Sequence, residues 1–297
     1  MLRTRATTIL CGLAIACGSP DGAGDGADEG ATESVATSDG AATEGADSSA
    51  GAEDPSRWVV TADFQLGTLS LLDYDALVAG ARDRETLLVD TIDLGDHAPG
   101  PLEVEIAPDG HTALVSVSPG FFDGFVGGLV GLENVALDGT LIVVDLDTRE
   151  VVAELATAHV PMGFAFTPDG SRALSANFGF TGATGSTVSI IDLAELAIVD
   201  EIEVGDGPEQ IAIDETGELA IVNVDGLDGI RVFALADPAG TLSDPVYVSD
   251  DPSGVAFVPG TTLAVVALSI GPNGWAVVDV ADPSAPVVVD STTSVAG

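Results

Sequence analysis

One phrase recurs along this chain of 297 residues, and its copies start about forty to sixty residues apart. It consists of an apolar stretch, a turn resembling Pro-Asp-Gly, and further apolar stretches, one of which ends in Val-Val-Asp or a variant. Repetition at this period predicts an array of similar supersecondary units. The first part of the phrase reads L-E-V-E-I-A-P-D-G (Leu102–Gly110), M-G-F-A-F-T-P-D-G (Met162–Gly170), E-Q-I-A-I-D-E-T-G (Glu209–Gly217) and S-G-V-A-F-V-P-G (Ser253–Gly260).

The stretches between these turns alternate apolar and polar residues or form short β-branched runs, which is typical of β-strands. Four such strands per repeat predict an all-β fold, a β-propeller of about five four-stranded blades within residues 57–297. The first blade lacks an innermost strand in this pattern. Three kinds of ring closure therefore remain open: a short strand near Thr293–Gly297, a three-stranded blade, or a larger propeller of which this chain is a part.

Three segments of the repeat resemble the YVTN-type β-propeller family. They are T-P-D-G-S-R-A-L-S-A-N (Thr167–Asn177), G-S-T-V-S-I-I-D-L-A (Gly185–Ala194) and I-E-V-G-D-G-P-E-Q-I-A-I (Ile202–Ile213). Asn177 and Asn223 match an Asn of the family repeat. The resemblance covers about residues 100 to 282 and implies the fold more than an activity. Its members and neighbouring groups include lactonase-like proteins, haem-bearing domains and cell-surface proteins.

The first residues have the pattern of an export signal. Arg3 and Arg5 precede an apolar run that is shorter than the about twenty residues of a membrane-spanning helix. The run ends in L-A-I-A-C, which resembles the lipobox of bacterial lipoproteins. We therefore expect a signal peptide over residues 1–16 and a lipid on Cys17, with soluble export as the alternative. The resemblance to lipoproteins implies an outer-membrane address, because Gly18 and not Asp follows the Cys.

Residues 17–56 consist almost wholly of small and acidic residues and predict a disordered linker between the lipid and the propeller. The whole chain has 48 acidic and 8 basic residues, for a net charge of −40. A surface this acidic repels nucleic acid, so we expect no nucleic-acid partner. The acidity suits either solubility in a salty medium or the binding of cations.

A residue that recurs in every repeat is expected to serve the scaffold, and a residue that breaks the pattern is the better functional candidate. Aspartates at the ends of third strands and in the Pro-Asp-Gly turns recur, so we expect them to accept backbone hydrogen bonds in the turns. The strand-end residues are Asp73, Asp145, Asp192 and Asp279, and the turn residues are Asp109 and Asp169.

Two groups near the expected central entrance break the pattern and are candidate metal ligands. His97 and His159 share a repeat position, and Met162 follows shortly after, which suits copper or haem iron. A carboxylate-rich group suits a divalent cation such as Ca²⁺. The carboxylates of this second group are Asp206, Asp250 and Asp251.

A Phe-rich insertion separates two strands of one repeat between Pro119 and Gly139. A long apolar loop is either a partner-docking surface or a flap that packs on its own domain. Two further Phe residues in the next repeat are placed to join it. The candidate partner-binding residues are Phe121, Phe122, Phe125, Phe178 and Phe180.

The sequence has no G-x-S-x-G, H-E-x-x-H, phosphate-loop or dinucleotide-binding motif, and it has no Lys. This inventory favours a non-catalytic binding or interaction module that is anchored in the cell envelope and binds an envelope protein or glycan. The alternatives are a metal-dependent lactonase-like hydrolase and a metal carrier that uses His and Met. Oligomeric state and cofactor stay unassigned, apart from the cation considered above.

Overall fold

The computed structural model describes residues 58–95, 100–118, 121, 139–157, 159–180, 183–249, 252–268 and 274–292. These residues form five antiparallel sheets that follow one another along the chain. The first sheet has three strands and each of the other four has four strands, in sequential order. The prediction of an all-β propeller with about five blades is confirmed, and the described residues give the first blade three strands.

The strands are numbered in chain order, and each sheet is called a blade. The first blade holds β1 (Trp58–Asp63), β2 (Thr68–Asp73) and β3 (Leu88–Asp93). The second holds β4 (Pro101–Ile106), β5 (Thr112–Val117), β6 (Gly139–Asp145) and β7 (Glu150–Thr157). The third holds β8 (Pro161–Phe166), β9 (Arg172–Phe180), β10 (Ala183–Asp192) and β11 (Ala197–Glu203). The fourth holds β12 (Pro208–Ile213), β13 (Leu219–Val224), β14 (Gly229–Ala234) and β15 (Val246–Tyr247), and the fifth holds β16 (Pro252–Phe257), β17 (Leu263–Leu268), β18 (Gly274–Asp279) and β19 (Val287–Ser291).

The turn between the first two strands of a blade forms as the repeat predicts. Gly110 and Gly170 adopt φ values of 78° and 70°, which residues with a Cβ rarely adopt. The side chain of Asp109 accepts hydrogen bonds from the backbone of His111 and Thr112, and Asp169 accepts one from Ser171. These aspartates therefore serve the turns, as expected.

The strand-end aspartates also bind backbone amides. Asp145 accepts from the amides of Asp147 and Thr148, and Asp192 accepts from the two amides that follow it in the same way. Asp279 accepts from Ala281, and Asp73 caps a short helix by accepting from Ala76. The four strand-end carboxylates are thus part of the scaffold, which confirms the turn interpretation.

In the described ranges, short helices occupy two of the connections, and each begins at an aspartate. They are α1 (Tyr74–Val78), α2 (Arg84–Leu87) and α3 (Pro238–Thr241), capped by Asp73, Asp83 and Asp237. A 3₁₀ turn spans Asp225–Leu227. In the part of the chain that the structure describes, no helix has the length and apolarity needed to cross a membrane.

Apolar clusters fill the junctions between consecutive blades. One lies between the first and second blades and includes Leu69 and Val115, and another lies between the second and third and includes Leu114. The junctions of the third with the fourth blade and of the fourth with the fifth are filled in the same way. Among the described residues, no comparable cluster joins the fifth blade to the first.

Arg231 on β14 links the fourth blade to the third. Its Nε and Nη2 donate to the carbonyl of Ser243 at 2.9 and 2.6 Å, and its Nη1 donates to the carbonyl of Val204 at 3.4 Å. We expect Arg231→Ala to lower the free energy of unfolding by about 1–3 kcal/mol, because carbonyls at the junction lose a charged donor. Urea unfolding measures this effect, with Arg172→Ala at an exposed position as the matched control. Equal losses in both variants would contradict a linking role for Arg231.

Candidate functional site

The inner strands of the four complete blades share one local geometry. Each begins with a proline, and in each the pairing with the second strand shifts its register directly after that proline. Such a bulge turns the next side chains in the same direction in every blade. The second residue after the proline is Glu103, Gly163, Gln210 and Gly254 in turn, and the fourth is Glu105, Ala165, Ala212 and Ala256.

The second blade breaks the pattern at both positions. Where three blades carry Ala at the fourth position, the second blade carries Glu105, and it carries Glu103 where two blades carry Gly. Glu105 pairs with Leu114, which pairs with Val143, and both of these lie in the apolar cluster that faces the third blade. The two carboxyls therefore project from the inner strand toward the side on which the third blade packs.

Gln210 of the fourth blade reaches Glu103 of the second. Its Nε2 donates a hydrogen bond to Glu103 Oε2 at 3.4 Å, between residues 107 positions apart in the chain. The inner strand of the third blade passes beside this contact at Gly163. A Cβ on Gly163 would lie 2.7 Å from Gln210 Oε1 and 2.6 Å from the carbonyl oxygen of Glu209. The glycine thus leaves the space through which the amide meets the carboxyl.

Backbone contacts hold these side chains in place. The amide of Glu103 donates to Ser116 Oγ at 3.0 Å, and the amide of Gln210 donates to Asn223 Oδ1 at 2.9 Å. Asn223 is fully buried, and its Nδ2 donates to the carbonyl of Pro252 in the fifth blade. Inner strands of the second, fourth and fifth blades are therefore connected through the half-buried Glu103 and Gln210 and the buried Asn223.

Both carboxyls titrate near neutral pH. Burial raises the pKa of Glu103 to about 7, and the hydrogen bond from Gln210 opposes that rise. Burial raises the pKa of Glu105 to about 8, and the negative charge of Glu103 contributes to the rise. The pair can therefore offer both hydrogen-bond donors and acceptors at neutral pH, which suits a hydroxyl-bearing or cationic group.

The structure places the candidate metal ligands only in part. His159 lies at the start of the third blade, where its carbonyl accepts from Thr157 Oγ1 at 2.8 Å. Met162 packs in a small apolar cluster with Val160 and Phe121. Asp206 lies at an exposed turn, and His97, Asp250 and Asp251 lie outside the described residues. Within the described ranges, no three His, Cys, Asp or Glu side chains are grouped so as to hold a metal ion.

The Phe candidates are likewise placed in part. Phe121 is 8% exposed and packs against Val160, with Leu102 and Met162 alongside. This residue thus packs on its own domain, which is one of the two alternatives considered for the insertion. Phe178 is half-buried, and its amide donates to the carbonyl of Val160 at 2.8 Å. Phe122, Phe125 and the side chain of Phe180 lie outside what the structure describes, as does Cys17.

The match of Asn177 and Asn223 to one family position is corrected by the strand pairing. Asn177 lies opposite Pro161, whereas the residue opposite the equivalent Pro208 is Val224. The two asparagines are thus offset by one residue and project from opposite faces of their blades. Asn177 Nδ2 donates to Thr187 Oγ1 and Ser189 Oγ at 2.9 and 2.8 Å, within its own blade.

The sequence already contained the signal for Glu103 and Glu105. The aligned segments L-E-V-E-I and M-G-F-A-F differ by carboxyls against small residues at two positions. The exceptions to the repeat that were expected to be functional lie in the loops and at strand starts, so this pair on the inner strand is not among them. A comparison of the repeats does not show the contact between Glu103 and Gln210, because this contact joins blades that are not consecutive.

No family model and no curated protein matches this chain. Similar solved structures include hydrazine synthase of Kuenenia stuttgartiensis, at 25% identity and a TM-score of 0.52, covering 66% of this chain and 51% of that one. Another is a functionally unknown protein from Desulfotomaculum acetoxidans DSM 771, at 17% identity and a TM-score of 0.59, covering 80% of this chain and 66% of that one. This chain thus spans about half of the first protein and two thirds of the second. The likeness supports a β-propeller-like fold.

Proposed function

We propose that this protein is a non-catalytic binding module, a β-propeller held in the cell envelope by a lipid on Cys17. The observation that carries the proposal is the break in the repeat on the inner strand of the second blade. Glu103 stands where the third and fifth blades carry Gly, and Glu105 stands where the other three complete blades carry Ala. Gln210 of the fourth blade donates a hydrogen bond to Glu103. Carboxyls with raised pKa values are costly to bury, and such groups are concentrated at binding sites.

The chemistry of this group favours a neutral, hydroxyl-rich ligand such as an envelope glycan. A protonated carboxyl donates one hydrogen bond and accepts others, and the amide of Gln210 does both. A sugar hydroxyl can exchange hydrogen bonds with both kinds of group without adding a buried charge. An envelope protein that presents amide or hydroxyl groups has the same chemistry and is the second ligand class considered.

The proposed membrane anchor and linker allow this module to bind at a distance from the membrane surface. The expected lipid on Cys17 anchors the chain to the outer membrane, and the linker of residues 17–56 spaces the propeller from that surface. The likeness to hydrazine synthase supports the fold, and its activity is not transferred, because this chain spans only half of that protein.

Replacing both carboxyls by alanine tests the binding site. We expect the double variant Glu103→Ala/Glu105→Ala to fold and to lose binding of an N-acetylated amino-sugar disaccharide, diacetylchitobiose, measured by calorimetry and thermal unfolding. Glu85→Ala/Glu195→Ala removes the same two charges from exposed positions and should bind as the wild type does.

The same experiment separates the alternatives. Mass spectrometry of the recovered disaccharide shows whether it has been cleaved, and CaCl₂ and CuCl₂ replace it as probes in parallel samples. Cleavage of the sugar contradicts a non-catalytic role. A saturable response to Ca²⁺ or Cu²⁺ alone, unchanged in the double alanine variant, contradicts the proposed site and favours the hydrolase or the metal carrier.

A further inference from the structure

The junction between the second and third blades contains two fully buried polar side chains. Ser175 is 0% exposed and Asn177 is 1% exposed, and both lie on β9, the second strand of the third blade. Because side chains alternate along a strand, both project on the same side as Ala173. Ala173 belongs to the apolar cluster that joins the second and third blades. Ser175 and Asn177 thus face the second blade from within the junction.

Both residues break the repeat at positions that are aliphatic in the other complete blades. Ser175 lies opposite Phe164 of the inner strand, and Asn177 lies opposite Pro161 at the start of that strand. The residues at the position of Ser175 are Val115, Val222 and Val266, and those at the position of Asn177 are Val117, Val224 and Leu268. All six are buried. Of the junctions that the structure describes, the one between the second and third blades is therefore polar at these two positions.

Hydrogen bonds within the third blade fix the direction of the Asn177 amide. Its Nδ2 donates to Thr187 Oγ1 at 2.9 Å and to Ser189 Oγ at 2.8 Å, and both acceptors lie on β10. The two amide hydrogens are used in this way, so Oδ1 points away from β10. Asn177 Oδ1 and Ser175 Oγ are both buried, and neither has a hydrogen-bond partner in the part of the chain that the structure describes. The junction therefore holds one acceptor and one hydroxyl that can still form hydrogen bonds.

Two such groups in a closely packed junction are costly unless a small polar molecule bonds to both. A buried polar atom without a partner destabilises a fold, and most buried polar atoms in proteins are paired with protein atoms or ordered water. Residues two apart on one strand are separated by roughly 6.6 Å, and a hydrogen bond between oxygens is about 2.8 Å long. One water molecule between the two side chains therefore reaches both. It can donate to the amide oxygen and exchange a hydrogen bond with the hydroxyl.

We propose that the junction between the second and third blades is a binding site for one buried water molecule, which bridges Asn177 Oδ1 and Ser175 Oγ. A buried water usually makes about three hydrogen bonds, and the second blade offers a third group. Ser116 is fully buried and pairs with Leu141 of the same apolar cluster, so its hydroxyl faces the third blade. Its Oγ accepts from the amide of Glu103 at 3.0 Å, and its O–H can donate to the water.

A row of polar side chains connects this site with the outer surface of the third blade. Ser175, Ser189 and Glu201 pair across the blade, and Ser189 Oγ donates to Glu201 Oε1 at 3.3 Å. Glu201 lies on the outer strand β11 and is exposed. The row gives the water a polar route of exchange with solvent. The groups at the site itself are neutral, which favours water over a metal ion, because hard cations take carboxylate ligands.

The direction of a stability change tests the site. Ser175→Val introduces the residue of the other three blades, but it displaces the water and leaves Asn177 Oδ1 without a partner. We expect the folding equilibrium constant, measured by urea unfolding, to fall by about 5–30-fold. Ser175→Ala, which adds no volume, should lower the constant as well. If the two atoms have no partner in the folded protein, removing one of them raises the constant, and that outcome overturns the proposal.

A double variant tests whether the two side chains share one water. Ser175→Val/Asn177→Leu removes the water together with both of its partners. Its loss of the folding equilibrium constant should be smaller than the product of the two single losses, on the order of 5-fold, because neither variant then leaves a partner unpaired. Ser175→Val/Ser284→Ala is the matched control, since Ser284 is an exposed serine of the fifth blade, and its losses should multiply. Losses that multiply in both double variants contradict a shared water.

Crystals of the protein identify the occupant directly. We expect a solvent peak within about 3.2 Å of both Asn177 Oδ1 and Ser175 Oγ at a resolution of about 1.5 Å. Crystals soaked in RbCl should show no anomalous signal at this peak, because Rb⁺ replaces a bound monovalent cation and does not replace water. A rubidium signal, a protein side chain in contact with both atoms, or the absence of any peak overturns the proposal.

Discussion

Replacing Glu103 and Glu105 together by glutamine should abolish most of the loss of stability that the wild type shows between about pH 5 and about pH 8. Both carboxyls have higher pKa values in the folded chain, about 7 and about 8, than the ordinary value of 4.5. The folded state therefore binds more protons than the unfolded state across this window, and unfolding becomes more favourable as the pH rises. Their stabilising contribution is complete below about pH 4.5 and is lost by about pH 8.

The size of the effect follows from the two raised pKa values. One pKa unit corresponds to about 1.4 kcal/mol, and the pair should cost the wild type on the order of 4 kcal/mol by about pH 8, after a discount for the solvent contact that both half-buried side chains keep. Glutamine has nearly the shape of a protonated glutamate and cannot ionise. The double variant should therefore be more stable than the wild type at about pH 8 and similar to it near pH 5.

Urea midpoints measured at several pH values check this expectation. Glu85→Gln/Glu195→Gln is the matched control, because it removes two exposed carboxylates and makes the net charge less negative by the same amount. The urea midpoint of this control should change with pH in the same way as that of the wild type. A wild-type midpoint that stays constant over the window, or equal slopes in the two double variants, would show that the inner-strand carboxyls ionise freely in the folded chain.

The repeat predicted the blades because each copy carries its own information. Apolar alternation defines which face of a strand is buried, and glycines such as Gly110 define where the chain turns. Asp145 and Asp192 could be assigned to turns from the sequence because each bonds to amides two and three residues ahead. Hydrogen bonds of this short range depend only on residues that are close in the sequence, so a local sequence pattern can predict them.

Contacts between blades were not accessible in this way. The hydrogen bond from Gln210 to Glu103 depends on how three inner strands converge, and no local pattern contains that geometry. The exposure of Val265 is a second example. Val265 occupies the repeat position of the buried Ile221, and only the arrangement of blades distinguishes them. Sequence repetition thus predicts what blades share, and the differences between blades need the structure.

Gly163 and Gly254 occupy one repeat position, and alanine at the two should have very different effects. At Gly163 a Cβ would lie 2.6 Å from the carbonyl oxygen of Glu209 and 2.8 Å from the Cα of Gln210. These are backbone atoms of the adjacent inner strand, so relief requires the third and fourth blades to separate. At Gly254 the nearest atom is Ala267 Cβ at 3.5 Å, an ordinary contact.

We expect Gly163→Ala to lower the free energy of unfolding by about 3 kcal/mol, at the upper end of overpacking effects. For a domain of this size that corresponds to a fall in Tm of about 6–12 °C. Gly254→Ala should be neutral or stabilising by up to about 1 kcal/mol, because alanine reduces the freedom of the unfolded chain. Thermal unfolding measures both variants.

The Gly163→Ala and Gly254→Ala variants also test whether the packing of the inner strands supports the hydrogen bond from Gln210 to Glu103. Moving the inner strand of the fourth blade away from Gly163 withdraws the amide of Gln210 from Glu103, and that amide holds the pKa of Glu103 lower than burial alone would. In Gly163→Ala the pKa of Glu103 should therefore rise further, and the loss of stability with pH should extend to a higher pH than in the wild type. Gly254→Ala should keep the wild-type profile. If the two alanine variants are equally stable, the inner strands do not converge at Gly163. That result would also contradict the contact between Gln210 and Glu103.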